Sequence, residues 1–118
     1  HATSSGKAIL AQWPESEVRK LLGPALVRHT EYTIVDVDDV LDNLKQARKL
    51  GYAVSWKEWH IDAVGVGAAV KDRSGTPVAA ISMTIPAVRA TRTRISRELG
   101  PLVAQAAASV ASRLQAMQ

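Results

Sequence analysis

The segment at residues 64–70, VGVGAAV, constrains the fold most, because β-branched residues alternate in it with residues that have almost no side chain. This alternation predicts a β-strand, in which successive side chains point to opposite faces of the sheet. One face carries Val64, Val66, Ala68 and Val70, and the other carries only glycine and alanine. Glycine inside a strand weakens it and often marks close approach by a ligand or another backbone. We therefore expect something to lie close against the small-residue face.

A second strand, PVAAISMTI at residues 77–85, should pair antiparallel with the first. The intervening Asp72–Gly75, DRSG, is typical of a turn, and Gly75 can supply a positive φ at no steric cost. In this strand Ser82 and Thr84 share a face. Small residues beside two hydroxyls predict the floor of a small, mostly apolar pocket. A closely packed helix, with the hydroxyls bonded to backbone, explains the pattern equally well.

The first 22 residues predict two short helices. In SSGKAILAQW the apolar positions recur at helical spacing, and Ser4 or Ser5 is a candidate cap for the start. Pro14 suits the first turn of the second helix, and Gly23-Pro24 should end it.

Two longer helices complete the pattern. Residues 36–50 have a clear amphipathic period, with Asp36 as N-cap and Gly51 just beyond the end. The chain after Pro86 is also helical in pattern, and Gly100-Pro101 predicts a kink or a fresh helix start. With a further strand in YAVSW, the order predicts an α+β fold, an antiparallel sheet of at most three strands flanked by helices. So small a sheet is marginal alone, and we expect missing strands or a partner's strand to complete it.

Composition limits the function classes. The 118 residues amount to one domain, and no apolar run is long enough for a membrane helix, so we expect a soluble protein. The absence of cysteine rules out thiolate chemistry and is compatible with a reducing cytoplasm. The net charge is +4, but the basic run at 89–97 has no interleaved aromatic residues, which favours a solvated helix start over a nucleic-acid surface. The N-terminus lacks Met and signal-peptide features, which suggests a piece of a longer protein.

Catalytic patterns are absent, since no serine lies in a G-x-S-x-G elbow and no histidine spacing pairs with one. We therefore expect no enzyme activity. A metal site is the sharper alternative, because Glu58, His60 and Asp62 are spaced by two and would share a face of an extended segment. The interpretation we favour is a polar, solvent-facing edge with Trp59 and Ile61 turned inward, and no metal.

Four ordered motifs resemble one known family. These are HATSSGKAILA, PESEVRKLL, HTEYTIVDVDDVLDNLKQARKLGYAV and VGAAVKDRSGTPVAAISMTIPAVRAT. They are similar to the helix start, the P-E-E-E segment, the connector with its helix and G-Y-A-V strand, and the closing hairpin of the C-terminal effector-binding domain of IclR-family bacterial transcriptional regulators. The resemblance covers essentially all 118 residues.

The resemblance implies a GAF-like α/β sensor domain, incomplete at its N-terminal side, with residues 1–118 as the C-terminal part of an effector-binding domain. It implies a small organic acid effector between the sheet and the SSGKA helix, and no cofactor. It also implies a cytoplasmic homodimer or homotetramer that contacts no membrane and binds DNA only through an absent N-terminal winged helix-turn-helix domain. A pure dimerisation module, without a ligand, remains a further alternative.

The family's ligand contacts carry over to six positions of this sequence. These are Ser4, Ser5, Ser55, Gly65, Ser82 and Thr84. Two of them depart from the family pattern: Ser55 stands where relatives often have Asp, which removes a negative charge, and Gly65 enlarges the pocket. Trp56 and Trp59 either wall the pocket or pack beneath the sheet.

Overall fold

The computed structural model describes residues 1–118 as a three-stranded sheet with helices on both faces. The elements are α1 (Ser4–Leu10), α2 (Glu15–Leu22), α3 (Val37–Leu50), β1 (Ala53–Trp56), β2 (Ala63–Lys71), β3 (Pro77–Pro86), a 3₁₀ turn (Ala87–Arg89), α4 (Arg92–Arg94), a π-helical turn (Ile95–Leu99) and α5 (Gly100–Ala116). The strand order is β1-β2-β3 and both pairings are antiparallel, which confirms the predicted α+β fold. None of the helices is both long enough and apolar enough to cross a bilayer.

Helix α1 is capped one residue earlier than the sequence suggested. Thr3 has extended backbone angles, and its Oγ1 accepts a hydrogen bond of 3.1 Å from the backbone N–H of Gly6. The prediction of Ser4 or Ser5 as the cap is wrong, because both already lie in the first helical turn, where the backbone no longer has the extended conformation that an N-cap requires. Their hydroxyls are therefore free for other contacts.

The ends of α2 and α3 agree with prediction. The Asp36 carboxylate caps α3 by accepting hydrogen bonds from the N–H groups of Asp38 and Asp39, at 2.9 and 3.2 Å. Gly51 follows the helix in the left-handed region, with φ of 86°. Gly23 ends α2 with a positive φ of 66° and an extended ψ of −172°. Both glycines occupy a conformation that residues with a Cβ adopt only with strain.

The register of the sheet places small residues and hydroxyls on one face. Gly65 lies between Ser55 of β1 and Thr84 of β3, and Gly67 lies opposite Ser82. Because residues directly opposite in adjacent strands share a face, the hydroxyls of β3 stand beside the glycines of β2. The predicted assignment of faces is confirmed.

The other face of the sheet is apolar and is covered by α5. Its core contains residues of β2, of the π-helical turn and of α5: Val64, Val66, Ala68, Val70, Ile95, Leu99, Val103 and Ala107. A second core lies on the small-residue face, among α1, α2 and α3: Ala8, Leu10, Ala11, Val18, Val40, Leu41, Leu44, Ala47 and Ala53. The sheet is therefore the middle layer of three.

Helix α1 approaches the small-residue face to backbone contact distance. A Cβ atom built on Gly67 would lie 2.7 Å from the carbonyl oxygen of Ser4, and one built on Gly65 would lie 2.8 Å from the Ser4 hydroxyl. The glycines therefore serve close helix packing, which was one of the two explanations left open.

The last helical region runs through Gly100 and Pro101 without an interruption. The π-helical turn precedes Gly100, whose N–H donates to the carbonyl of Ile95, and Pro101 then falls in the first turn of α5. A proline in an α-helix lacks one donor and crowds the preceding turn, and the wider π turn changes the hydrogen-bond pattern just before it. The structure thus has a local change of helix type where the sequence predicted a kink or a fresh start.

Candidate ligand-binding cavity

A cavity of about 160 Å³ lies where the start of α1 meets the sheet. Its lining comes from the start of α1, all three strands and the loop before β2: Thr3, Ser4, Ser5, Ser55, Trp59, His60, Ala63, Gly65, Ser82 and Thr84. All six residues that the resemblance singled out are among them. The small-residue face thus carries both a closely packed helix and, beside the helix start, an open cavity.

The hydroxyls of Ser82 and Thr84 are free within the chain. Both residues are exposed and face the cavity from β3, and neither hydroxyl makes a hydrogen bond to another group of the protein. A hydroxyl offers one donor and two acceptor positions. The explanation that these groups bond to backbone does not hold, so they are available to a polar ligand.

The start of α1 adds donors from the opposite side. The first N–H groups of a helix have no partner within the helix, and those of Ser4 and Ser5 belong to this set. Ser4 is buried and Ser5 is half-buried, and both line the cavity. No Asp, Glu, Lys or Arg side chain lines it, so a bound group would be selected by hydrogen bonds and shape instead of by a fixed charge.

Ser55 and Gly65 shape the cavity in other ways. The Ser55 hydroxyl is buried and donates a hydrogen bond of 2.5 Å to the carbonyl of Ala2, so its hydrogen is already committed. It also anchors the segment leading into α1. Gly65 lets Ser4 of α1 approach the strand, because a Cβ there would lie 2.8 Å from the Ser4 hydroxyl oxygen. The expectation that this glycine enlarges the pocket is therefore wrong, since Ser4 occupies the space beside it.

The loop between β1 and β2 does not follow the predicted extended path. Lys57 has a left-handed backbone, with φ of 58°, and the chain turns there. Glu58 is consequently buried, whereas His60 and Asp62 remain exposed. No three His, Asp or Glu side chains in the structure are close enough to hold a metal ion together. The alternative of a metal site at these three residues is therefore wrong.

Glu58 instead forms an ion pair with Lys7 of α1. Its Oε1 lies 2.5 Å from Lys7 Nζ, and its Oε2 accepts a hydrogen bond of 3.0 Å from the backbone N–H of Trp56. Lys7 Nζ also donates to the carbonyl of Val54 at 3.0 Å. Burial lowers the pKa of Lys7 and the adjacent Glu58 carboxylate partly opposes this effect.

The two tryptophans of the loop region have different roles. Trp56 lies on the α5 side of the sheet, where the Arg92 guanidinium is 4.0 Å from its ring centroid. Trp59 lines the cavity, and its ring centroid is 4.4 Å from that of His29. The sequence did not decide the roles of the two tryptophans. It also did not assign His60 to the cavity, because the turn at Lys57 reverses the alternation that strand spacing implies.

Larger hollows lie elsewhere on the surface. One of about 400 Å³ lies between α2 and the start of α3, and another of about 400 Å³ is lined mainly by alanines of α5 and β2. Neither contains any of the six predicted residues. The smaller cavity is the candidate site because the hydroxyl residues of β3 and the residues at the start of α1 line it together.

Comparison with known proteins identifies the family. The family model described as "Bacterial transcriptional regulator IclR C-terminal" matches residues 1–112. The HTH-type transcriptional repressor AllR of Salmonella paratyphi A is 37% identical over 115 residues, which are 97% of this chain and 42% of that protein. The chain thus spans less than half the length of this curated relative.

Solved structures support the same family assignment. IclR of Thermotoga maritima superimposes with a TM-score of 0.88 at 33% identity, covering 97% of this chain and 46% of that one. The inducer-binding domain of an Acinetobacter PobR double mutant, solved with 3-hydroxybenzoic acid, superimposes with a TM-score of 0.82 at 26% identity, covering 94% and 64%. The chain therefore belongs to the IclR family of bacterial transcriptional regulators and matches their C-terminal, effector-binding domain.

Proposed function

We propose that this chain binds a small organic acid in the 160 Å³ cavity and acts as the sensor of a transcriptional regulator. The observation that carries the proposal is that Ser4 and Ser5 of α1 and Ser82 and Thr84 of β3, each with a hydroxyl, line one cavity. A carboxylate accepts several hydrogen bonds at once, and bonds to a charged acceptor are stronger than neutral ones. The helix dipole of α1 adds a weaker preference for an anion.

The size of the cavity supports a ligand with few atoms. A cavity of about 150 Å³ engineered into another protein binds benzene. A space of about 160 Å³ therefore suits an organic acid of roughly benzoate size or smaller. The PobR domain solved with 3-hydroxybenzoic acid supports the same size class for this chain.

The ligand would act by shifting the arrangement of an oligomer. A ligand changes an equilibrium only through different affinities for the two states. Helix α1 supplies one side of the cavity and packs against both the sheet and α3, so occupancy can bias the position of α1 relative to the sheet. In the intact protein, a homodimer or homotetramer would transmit this change to an N-terminal winged helix-turn-helix domain on DNA. No chemical step is required of the domain.

A thermal-shift screen of small carboxylates on the intact protein tests binding. A ligand at about 100 times its Kd adds roughly 2.7 kcal/mol to the free energy of unfolding, which is a clear rise in Tm. The screen should include acetate, pyruvate, benzoate and 3-hydroxybenzoate. If no small carboxylate raises Tm, the proposal fails.

Variants that remove one hydroxyl test the contact. Ser82→Ala and Thr84→Val should each weaken carboxylate binding by about 10-fold to 100-fold, because a hydrogen bond to a charged group contributes about 1.5–3 kcal/mol. The matched controls are Ser109→Ala on α5 and Thr93→Val on α4, which are exposed and lie outside the cavity. Isothermal titration calorimetry gives the Kd values. Equal affinity in all four variants would exclude the proposed contacts.

A further inference from the structure

The buried Lys7–Glu58 pair does not line the cavity, and the proposed function leaves it without a role. Lys7 is 1% exposed and Glu58 is 5% exposed. Taking an ammonium and a carboxylate out of water costs several kcal/mol per ion, which their mutual attraction repays only with good geometry and further hydrogen bonds. Because of this desolvation cost, a buried ion pair does not by itself indicate that the pair stabilises the fold. Its position in the fold indicates another role.

The pair joins α1 to the loop that precedes β2. Lys7 reaches from α1 to the carbonyl of Val54 and to the Glu58 carboxylate, at 3.0 and 2.5 Å. Glu58 Oε2 then accepts from the N–H of Trp56 at 3.0 Å. The carboxylate therefore fixes the end of β1, the turn of the loop and the middle of α1 relative to one another.

Two threonines of the connector before α3 hold the same turn from the other side. The Thr30 hydroxyl donates to the carbonyl of Lys57 at 2.5 Å, and the Thr33 hydroxyl donates to the carbonyl of Glu58 at 2.6 Å. These contacts hold Lys57 in its left-handed conformation, with φ of 58°, which is unfavourable for a residue with a Cβ. The turn is thus determined by contacts from outside the loop.

The next two residues, Trp59 and His60, form a wall of the cavity. Trp59 is 57% exposed, so burial does not fix its position. Apart from its tilted ring contact with His29, the position of Trp59 depends on the backbone immediately before it, which Lys7 holds through Glu58.

We propose that the Lys7–Glu58 ion pair is a positioning device that fixes Trp59 and His60 as a wall of the cavity and so limits the size of the acid that binds. This inference rests on the proposed function. Breaking the pair frees the wall to move outward, which admits larger acids and weakens contact with smaller ones. Lys7 and Glu58 are positioning residues and do not touch the ligand.

The size selectivity of binding tests the proposal in the intact protein. Isothermal titration calorimetry with benzoate and 2-naphthoate gives a Kd ratio for each variant. Glu58→Gln removes the charge and keeps an acceptor for the Trp56 N–H, and Lys7→Met keeps the length of the side chain. Each should lower the ratio of the naphthoate Kd to the benzoate Kd by about tenfold or more, the scale of discrimination that pocket contacts provide.

Two further variants separate positioning from general stability. Trp59→Ala removes the wall without touching the ion pair and, at an exposed site, leaves the fold intact, so it should reproduce the change in ratio. Val103→Ala destabilises the core on the opposite sheet face, where Val103 is 3% exposed, and should leave the ratio unchanged. Hydrogen exchange gives a reading without ligand: amides at 57–62 should exchange faster in Glu58→Gln, and amides of α5 should not.

The outcomes are distinct. A lowered ratio in Lys7→Met, Glu58→Gln and Trp59→Ala, with no change in Val103→Ala, supports the inference. An unchanged ratio in an otherwise binding-competent Glu58→Gln or Trp59→Ala protein overturns it and leaves the proposed function standing. Failure of every small carboxylate to bind the unmodified protein overturns both.

Discussion

Replacing either glycine of β2 by alanine should have very different effects at the two positions. A Cβ on Gly67 would lie 2.7 Å from the carbonyl oxygen and 2.8 Å from the carbonyl carbon of Ser4, so the backbone of α1 must move. A Cβ on Gly65 would lie 2.8 Å from the Ser4 hydroxyl oxygen and 3.2 Å from the Ser4 Cβ, and the hydroxyl can rotate away.

Overpacking a well-packed site costs about 1–3 kcal/mol, and removing a glycine from the unfolded chain returns about 0.4–1 kcal/mol. Gly67→Ala should therefore lower the free energy of unfolding by about 1–2 kcal/mol. For Gly65→Ala the two effects nearly cancel, and the change should stay within about 0.5 kcal/mol.

Double variants with Ser4→Ala identify which atoms of Ser4 the new Cβ at each glycine position meets. Ser4→Ala removes the hydroxyl that Gly65→Ala meets, and leaves the backbone that Gly67→Ala meets. Urea unfolding should therefore show coupling between Ser4→Ala and Gly65→Ala, and additivity between Ser4→Ala and Gly67→Ala. The m value should be unchanged in all of them, since the surface exposed on unfolding is the same. A neutral or stabilising Gly67→Ala would refute the close approach of α1 to the sheet.

Two other predictions concern polar contacts of the backbone. Asp36→Ala removes the cap of α3 and should lower the free energy of unfolding, measured in urea, by about 1 kcal/mol. Asp42→Ala changes an exposed position within the same helix and should lower it by less. Equal losses in the two variants would show that the Asp36 cap does not stabilise α3. The Ser74 hydroxyl, with the N–H groups of Thr76 and Ser74, lowers the pKa of the Asp72 carboxyl below its ordinary value. The stability contributed by these bonds is therefore present at neutral pH and is lost as the pH falls through the folded-state pKa. In NMR titrations the Asp72 pKa should rise towards that ordinary value in Ser74→Ala, and an unchanged pKa would contradict the assignment.

Alternation along β2 was sufficient to predict the sheet faces, because the side-chain period of a strand is two and the DRSG turn determines the register of β3. The same reasoning placed Ser82 and Thr84 on the face of the small residues of β2, and the structure adds their register opposite Gly67 and Gly65. The extent of α3 could be predicted equally well, since its apolar period and its two end residues are local signals.

The loop before β2 could not be predicted, because non-local contacts determine it. Its turn depends on Thr30, Thr33 and Lys7, which are distant in the sequence, and on a left-handed Lys57 that no residue preference indicates. Local pattern instead favoured an extended segment with Glu58, His60 and Asp62 facing solvent and Trp59 and Ile61 turned inward. That interpretation is wrong for three of these residues, since Glu58 is buried and Trp59 and Ile61 are exposed. The cap at Thr3 was missed for a smaller reason: threonine and serine both cap helices, and composition does not distinguish neighbouring candidates.

A crystal structure of the intact protein with a bound small carboxylate tests the central claim most directly. We predict that the carboxylate lies in the cavity with its oxygens within hydrogen-bond distance of the Ser82 and Thr84 hydroxyls and of the N–H groups at the start of α1. Finding the acid in the alanine-lined hollow beside α5, with the hydroxyls of β3 unoccupied, would contradict the account.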